Sequence, residues 1–577
     1  MRHILRSATS RRRAMEFRHE GESIYYRYQA FFVCDRYGGL LYSTGPRSTQ
    51  IQEHWDRINI GLDRPDNKPK EKGEFYRVEL KEELGGLELY EVRKANNAVF
   101  IGIMLGRTTD SPDIKDFEAF FNGLILRQVN FAVSYSEVEP TPTSNLESAT
   151  EEIVSLFDTY LRYQSADDKW IDSGRAYFTE RVRHFTSQGR KIEFCLPAFP
   201  CKSSNTNKVT GKDPDRGELL ALERLHRFVE AIEKIYEPGA KLWIISDGHV
   251  FSDCIGVDDN DVDEYGEKLI KMNRLVGLRR GNLDRVGFKS LVDLFELKRY
   301  KSKIDQLFQL NVAPIEHHVY TKTTVEAEIC RRILMAGCQS QRSALRARIE
   351  SQDAAILALY RGFSRFMLED LELHPFTRSL SRSKQKKLSA KVAFEMIMRN
   401  QAYSNLVELL FPNHIRLSIH AHNNAGPKFG IQLFDSATVR AVESLSHTDI
   451  PMTSGDLLHI PTPWHNSVVK VVGSEILYVT KAKVVRDALA EGDMTGSLRS
   501  QDDEADYSGA LYFSVCTTSL GGVHRKTLET VKEREVEVEP QEPVTTPKTV
   551  ASDEGLVIKT TYLTGSVSGG ESTCPRM

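Results

Sequence analysis

Residues 192–253 read IEFCLPAFPCKSSNTNKVTGKDPDRGELLALERLHRFVEAIEKIYEPGAKLWIISDGHVFSD, and this stretch decides the fold. Ile192, Phe194 and Leu196 alternate with Glu193 and Cys195, the period of a strand with one inward face. A polar loop follows. Asp215 then stands three residues before Glu218, an aspartate form of the capping box that opens a helix. Leu222, Leu225, Val229, Ile232 and Tyr236 recur at helical spacing, so that helix is amphipathic. Pro238 and Gly239 stop it, and KLWIIS (241–246) is a second, nearly continuous apolar strand. Strand, helix, strand is the parallel crossover unit. Ligands of such sheets bind at the carboxyl ends of the strands, so the loops after both strands are where chemistry is expected.

Outward from that unit, the 577 residues are 40% hydrophobic and 27% charged, with mean hydropathy −0.39. No apolar run approaches the ~20 residues of a membrane span, which excludes a membrane-spanning, collagenous or wholly disordered chain. A net charge of −3 gives no global field toward nucleic acid. Eight cysteines without zinc-finger spacing or a CxxC read as buried thiols of a cytoplasmic protein. The start, MRHILRSATSRRRAM, is basic and acid-free; it suits a mitochondrial presequence or, the reading taken here, a disordered N-terminus over 1–20. Residues 21–137 form a mixed module with strands at 25–33, 39–42 and 98–105, followed by a Pro/Ser-rich linker over 138–148. A catalytic domain is expected over 149–490, an extension over 491–524 and a disordered tail over 525–577. The expected fold class is α/β: a Rossmann-like, mainly parallel core with an antiparallel hairpin region, plus the mixed N-terminal module.

Four places carry chemistry. The loop after the first strand holds Lys202, Ser203, Ser204, Asn205 and Lys208, donors that suit a phosphate, although a solvated polar loop has the same composition. The second loop presents Asp247, Gly248, His249 and Asp253; Asp247 is placed for proton transfer or for turn and capping duty. IRLSIH (415–420) and FGIQL (429–433) alternate strictly around a turn rich in Asn, Gly and Pro. Paired as a hairpin, they set His420 opposite Lys428 and Arg416 opposite Gln432, with Ser418 on the same acid-free face. PTPWHN (461–466) lies between LLHI and SVVKVV and offers His465 as acid or base, Asn466 as a donor and Trp464 for stacking or core packing. On the helix around 357–371, Arg361 is within reach of a phosphate or simply solvated. His447-Thr448-Asp449 begins an iron-type triad without its distal histidine, and His420 with His422 lacks a third zinc ligand.

Five segments together carry a resemblance. FCLPAFPCKSSNTNKVTGKDPDRGELLALERL, WIISDGHVFSDCIGVDDNDVDEYGE, LYRGFSRFMLEDL, HIRLSIHAHNNAGPKFGIQL and PTPWHNSVVKV resemble, in the family's order, the pyoverdine/dityrosine biosynthesis family of isocyanide synthases, over about residues 149–485. His249 stands where bacterial members commonly carry arginine, and the N-terminal module and tail look like the longer fungal type. The resemblance implies that the α-amine of an amino acid, often an aromatic one, receives the ketone carbon of ribulose 5-phosphate and becomes an isocyanide. A spore-wall relative makes N-formyl tyrosine for dityrosine. It also implies no metal, flavin or nicotinamide cofactor. The partners it implies are the two small-molecule substrates and downstream biosynthetic enzymes, with no nucleic acid and no membrane. On that basis Lys202, Lys208, Arg361, Arg416 and Lys428 are candidates for the phosphate and the carboxylate, and Asn205, Ser418 and Asn466 for orienting hydroxyls. Asp247, Asp253, His420 and His465 are candidates for proton transfer in imine formation, enolisation and carbon–carbon cleavage. The alternatives are a non-catalytic member that binds a metabolite or partner, and a Rossmann-type methyltransferase. The absence of a glycine-rich loop after the first strand argues against the latter.

Overall fold

The computed structural model describes residues 144–294, 315–336, 341–411, 414–445, 461–500 and 510–517, together with the backbone of six strands between residues 16 and 108. Those six are β1 (Glu16–His19), β2 (Glu22–Asp35), β3 (Leu40–Thr44), β4 (Phe75–Glu79), β5 (Leu87–Arg93) and β6 (Val99–Thr108). They form one antiparallel sheet in the order β1-β2-β6-β5-β4, with β3 on β2. The three strands expected in this module fall on β2, β3 and β6.

The central sheet comprises β7 (Ile192–Pro197), β8 (Ala240–Ile245), β9 (Val286–Lys289), β10 (Ile415–Ser418) and β11 (Lys428–Gly430), in the order β11-β10-β7-β8-β9. Every neighbouring pair is parallel. The helix Arg216–Ile235 makes the β7–β8 crossover. It opens with a complete capping box: Gly217 N donates to Asp215 Oδ1 (2.7 Å) and Asp215 N to Glu218 Oε2 (2.9 Å). Leu222, Leu225, Val229 and Ile232 are all buried on its core face, each stabilising by about 1.5–3 kcal/mol. An aromatic cluster closes the β11 side: Phe157 stacks on Phe178 at 4.1 Å, and Phe178 meets Phe429 edge-on at 5.0 Å.

The expected hairpin at 415–433 is corrected. β10 and β11 run parallel, with Arg416 beside Lys428 and Ser418 beside Gly430. The Asn/Gly/Pro segment is not a tight turn but an anchored loop. Within it, buried Asn424 donates to Tyr163 O (2.7 Å) and accepts from Gly430 N (2.8 Å), carrying the chain back to the start of β10. Antiparallel pairing occurs instead in a second, mixed sheet of β12 (Val439–Ala441), β13 (Ser467–Val471), β14 (Leu477–Thr480), β15 (Met494–Ser500) and β16 (Leu511–Thr517). There β13 pairs antiparallel with β14, and β15 with β16. Val469, Val485 and Phe513 form its core with the helix Ala482–Ala490. β15 and β16, from the segment read as an extension, are part of this sheet, and the helix Ser144–Leu156 begins within the segment read as a linker.

Cys195, Cys201, Cys254 and Cys330 are buried free thiols, and Cys516 is an exposed one. No helix among the described residues is long and apolar enough to cross a membrane. The basic N-terminal stretch, the tail, the motif at 447–449 and the LLHI segment lie outside the described residues.

Candidate functional site

At the carboxyl end of β8 the chain turns into the helix Gly248–Ile255. Ser246 fixes the turn, its amide donating to Lys289 O (2.8 Å) and its hydroxyl to Phe199 O (3.1 Å). Asp247 occupies the N-cap position, yet its carboxylate caps nothing. The residue keeps a narrow opening to solvent, but Oδ1 points inward, sealed and without a hydrogen-bond partner among the described residues. Desolvation pushes its pKa up to about 7, offset only in part by its own backbone N–H. Gly248 is required next to it, because an added Cβ would lie 2.3 Å from Pro200 O and 2.5 Å from Val262 Cγ1. Tyr403, from the helix Arg382–Leu410, donates to Ile245 O (2.9 Å). Burial and the nearby Asp247 charge push its phenol well above the ordinary range, while Arg416 pulls it down. Asp247 and Arg416 therefore both lie within electrostatic reach of one buried phenol.

A cationic face forms where β10 pairs with β11. Arg416 donates to Ser404 O (3.1 Å) and Oγ (3.2 Å), and Lys428 donates to the same Oγ (2.7 Å). Ser418 Oγ accepts from His420 N (3.2 Å) and shares a hydrogen bond with His422 Nε2 (2.9 Å). Burial, then His420, Lys428 and Arg416, push His422 down to about 3, so it is a neutral imidazole. The half-buried ring of His420 lies 6.3 Å from it. The parallel register thus keeps Arg416, Lys428 and Ser418 together, as the wrong hairpin register also did, but it does not set His420 opposite Lys428. Two permanent cations on this face can hold an anionic substrate, and a carboxylate that titrates near neutrality, as Asp247 does, can exchange a proton with one.

The loop after β7 is corrected from a phosphate cradle to a structural knot. Lys202 is wholly buried, 2.8 Å from both Asp215 and Glu218, and donates to Pro463 O (2.9 Å). Burial lowers its pKa, but the two carboxylates outweigh this and hold it charged; burial raises Glu218 to about 7. Lys208 is equally enclosed, 3.0 Å from Asp370 and 4.4 Å above the Phe366 ring. Asn205 folds its own loop, accepting from Asn207 N (2.9 Å) and donating to Glu369 O (2.7 Å). The side chains of all three are thus engaged by partners inside the protein.

Asp253 is likewise corrected from proton carrier to structural anion. Burial raises its pKa, but Arg399, His317 and Arg331 outweigh it and hold the carboxylate ionised far below the ordinary range. The same arginines grip the helix that Asp247 leads: Arg331 Nε donates to His249 O (2.8 Å) and Arg399 Nη1 to Val250 O (2.8 Å). Arg331 also pairs with Asp259 and Ser252. Asp253 acts on the site through position alone.

In the remaining loop, Trp464 is core, 5.1 Å from the Phe199 ring, and is not available to stack on a ligand. His465 sits edge-on to Phe366 at 5.1 Å, near Asp370. Asn466 donates back to Thr462 O (2.8 Å) within its own turn. Arg361 is exposed, nine residues before Asp370 on one helix and so about 14 Å from it along the axis. Sequence reasoning missed Tyr403, Ser404 and Asp370, and weighed His422 only as a metal ligand; Tyr403 and Ser404 sit in a helix end already rich in polar residues (Asn400, Gln401, Asn405, Glu408), so no local signal set them apart. Among the described residues no three His, Cys, Asp or Glu side chains are grouped to hold a metal ion.

Residues 182–492, more than half of the chain, match the family model described as pyoverdine/dityrosine biosynthesis protein. The chain belongs to the pyoverdine/dityrosine biosynthesis family. Within that family it is 47% identical, over 60% of its own length, to spore wall maturation protein DIT1 of Saccharomyces cerevisiae; the matched stretch spans 64% of that relative. It is 32% identical over 52% of its length to L-tyrosine isonitrile synthase of Xenorhabdus nematophila, covering 73% of that enzyme. The crystal structure of the PvcA protein from Pseudomonas aeruginosa is 25% identical, with a TM-score of 0.46 over 64% of this chain and 99% of that one. The central parallel sheet and the five motif segments of this family member fall within or beside the matched range.

Proposed function

We propose that this family member converts the α-amine of an aromatic amino acid, tyrosine in the first instance, to an isocyanide or its N-formyl counterpart, using the ketone carbon of ribulose 5-phosphate. The observation that carries the reading is Asp247: a carboxylate at the carboxyl edge of the parallel sheet, poised near neutrality, whose buried Oδ1 has no hydrogen-bond partner among the described residues. Imine formation requires an acid to release water from the carbinolamine, and enolisation requires a base to take a carbon-bound proton. One group with a pKa near 7 serves both. Arg416 and Lys428 supply the positive charge for the substrate phosphate or carboxylate. Tyrosine is taken first because the family is described as dityrosine biosynthesis and one relative is an L-tyrosine isonitrile synthase.

The test is incubation with L-tyrosine and ribulose 5-phosphate isotopically labelled at the ketone carbon, followed by mass spectrometry. The expected result is a tyrosine-derived product that has lost its free amine and carries the label on nitrogen. Unchanged tyrosine in the presence of folded protein would favour the metabolite-binding reading instead.

A further inference from the structure

Asp370 ends the helix Ala354–Asp370 with no exposed surface, an unfavourable place for an anion because the last carbonyls of a helix are negative. Its Oδ1 is fully used: Ser203 Oγ donates to it at 2.6 Å and Lys208 Nζ lies at 3.0 Å. Burial raises the carboxyl's pKa, but Lys208 and then His465 outweigh this, so it stays ionised below the ordinary range. Its Oδ2 has no hydrogen-bond partner among the described residues. A buried, charged acceptor without a donor is costly and rarely kept without a use. Neighbouring Glu369 offers no such opening, since Lys481 and Lys208 both face it and the ionised group is partly solvated.

The position of Asp370 is also informative. The buried thiol of Cys201, in the loop leaving β7, is pushed well up by burial, then by Asp247, then by Asp370. Both carboxylates therefore act on one buried thiol in the loop after β7. Their environments differ: among the described residues no cation holds Asp247, whereas Lys208 lies 3.0 Å from Asp370. Carboxylates whose proton affinities are driven apart in this way divide the labour, one carrying the proton and the other a fixed negative charge.

We infer that Asp370 is a substrate-binding residue, its Oδ2 accepting a hydrogen bond from an ammonium or a hydroxyl of a bound substrate. The inference rests on the proposed reaction for the identity of the two substrates. Lys208 and Ser203 hold the carboxylate in place for that donor, and phosphate is excluded from Oδ2 by like charge.

The test is titration of full-length wild type and D370N with L-tyrosine and, separately, with ribulose 5-phosphate, by calorimetry, with melting followed on both proteins. The expected result is a rise of tenfold or more in one Kd, about 1.4 kcal/mol, while the other moves less than twofold. A rise for L-tyrosine assigns the ammonium, and a rise for ribulose 5-phosphate assigns a hydroxyl. Two unchanged values, or two that rise together, overturn the assignment. If D370N does not fold because Lys208 is left unpaired, D370N/K208M removes the buried pair as a unit and is titrated with L-tyrosine and ribulose 5-phosphate under the same criteria. Wild type that binds neither compound overturns the proposed reaction and this inference with it; wild type that binds both and a folded variant that does the same overturns only the role of Asp370.

Discussion

Asp247→Asn separates function from stability at one atom. The native carboxyl binds its proton more tightly than the unfolded chain does, with a pKa of about 7 against an ordinary 3.8. The native state is therefore not penalised below about pH 4, where both states are protonated. The penalty builds as pH rises toward 7 and is constant above, where the native state must bury a charge. At ~1.4 kcal/mol per tenfold change in proton affinity, the full cost is ~4 kcal/mol, and the narrow solvent opening at Asp247 makes that an upper bound. Asparagine does not titrate, so the variant gains on wild type through the same window. Urea denaturation at about pH 5 and about pH 8 is expected to show the variant's advantage growing by roughly 1–3 kcal/mol. Turnover of L-tyrosine with ribulose 5-phosphate is expected to fall by about a hundredfold or more, the scale of a lost general acid or base. Wild-type turnover in the variant, or a stability difference that ignores pH, would refute the assignment.

Three further outcomes follow from the same geometry. Lys202→Met strands Asp215 and Glu218 as two buried carboxylates and should cost about 3–5 kcal/mol in urea denaturation; the folded fraction should retain wild-type KM for ribulose 5-phosphate, because Lys202 binds no phosphate. Gly248→Ala forces its Cβ against Pro200 O and Val262, so stability should drop by about 1–3 kcal/mol, and kcat should fall more than KM as Asp247 is displaced. His317 is raised to about 9 by hydrogen bonds to Asp253 and Glu328, against burial. Its contribution is fully present below the unfolded-state pKa of 6.5 and is lost as pH climbs to about 9, so His317→Gln should flatten the stability profile over that interval when thermal melts are compared across it.

The parallel unit was legible because its signals are local. Strand period, capping box and helical period in 192–246 each lie within one element, and every one appears in the structure. Asp247 was legible for the same reason, as the residue that follows an apolar strand at the edge of a parallel sheet. The β10–β11 register was not, because an Asn/Gly/Pro segment reads as a tight turn unless the distant anchors of Asn424, Tyr163 and Asp168, are known. Lys208 and Asp253 were misread for a related reason: their partners Asp370 and Arg399 are far along the chain, so a committed charge looked like an available one. For Lys202 both partners were in plain view as the capping box, but a box is ordinarily read as backbone chemistry and not as the counter-ion of a buried lysine.

That distinction between committed and available charge is what singles out the site. Buried ions in this fold are paired with several partners: Lys202 with two carboxylates, Asp253 with two arginines, and Arg331 with Asp259 and a backbone carbonyl. Each is expensive to desolvate, and each is compensated on the spot. Asp247 breaks the pattern, since among the described residues its inward oxygen meets no donor and its charge meets no cation close enough to restore an ordinary pKa. A fold that gives these buried charges a counter-ion each, and then clamps the helix behind Asp247 with two arginines, maintains that exception at a cost in stability. The compensation is expected to come from a bound substrate, and that is why removing the charge should strengthen the empty protein and disable the enzyme.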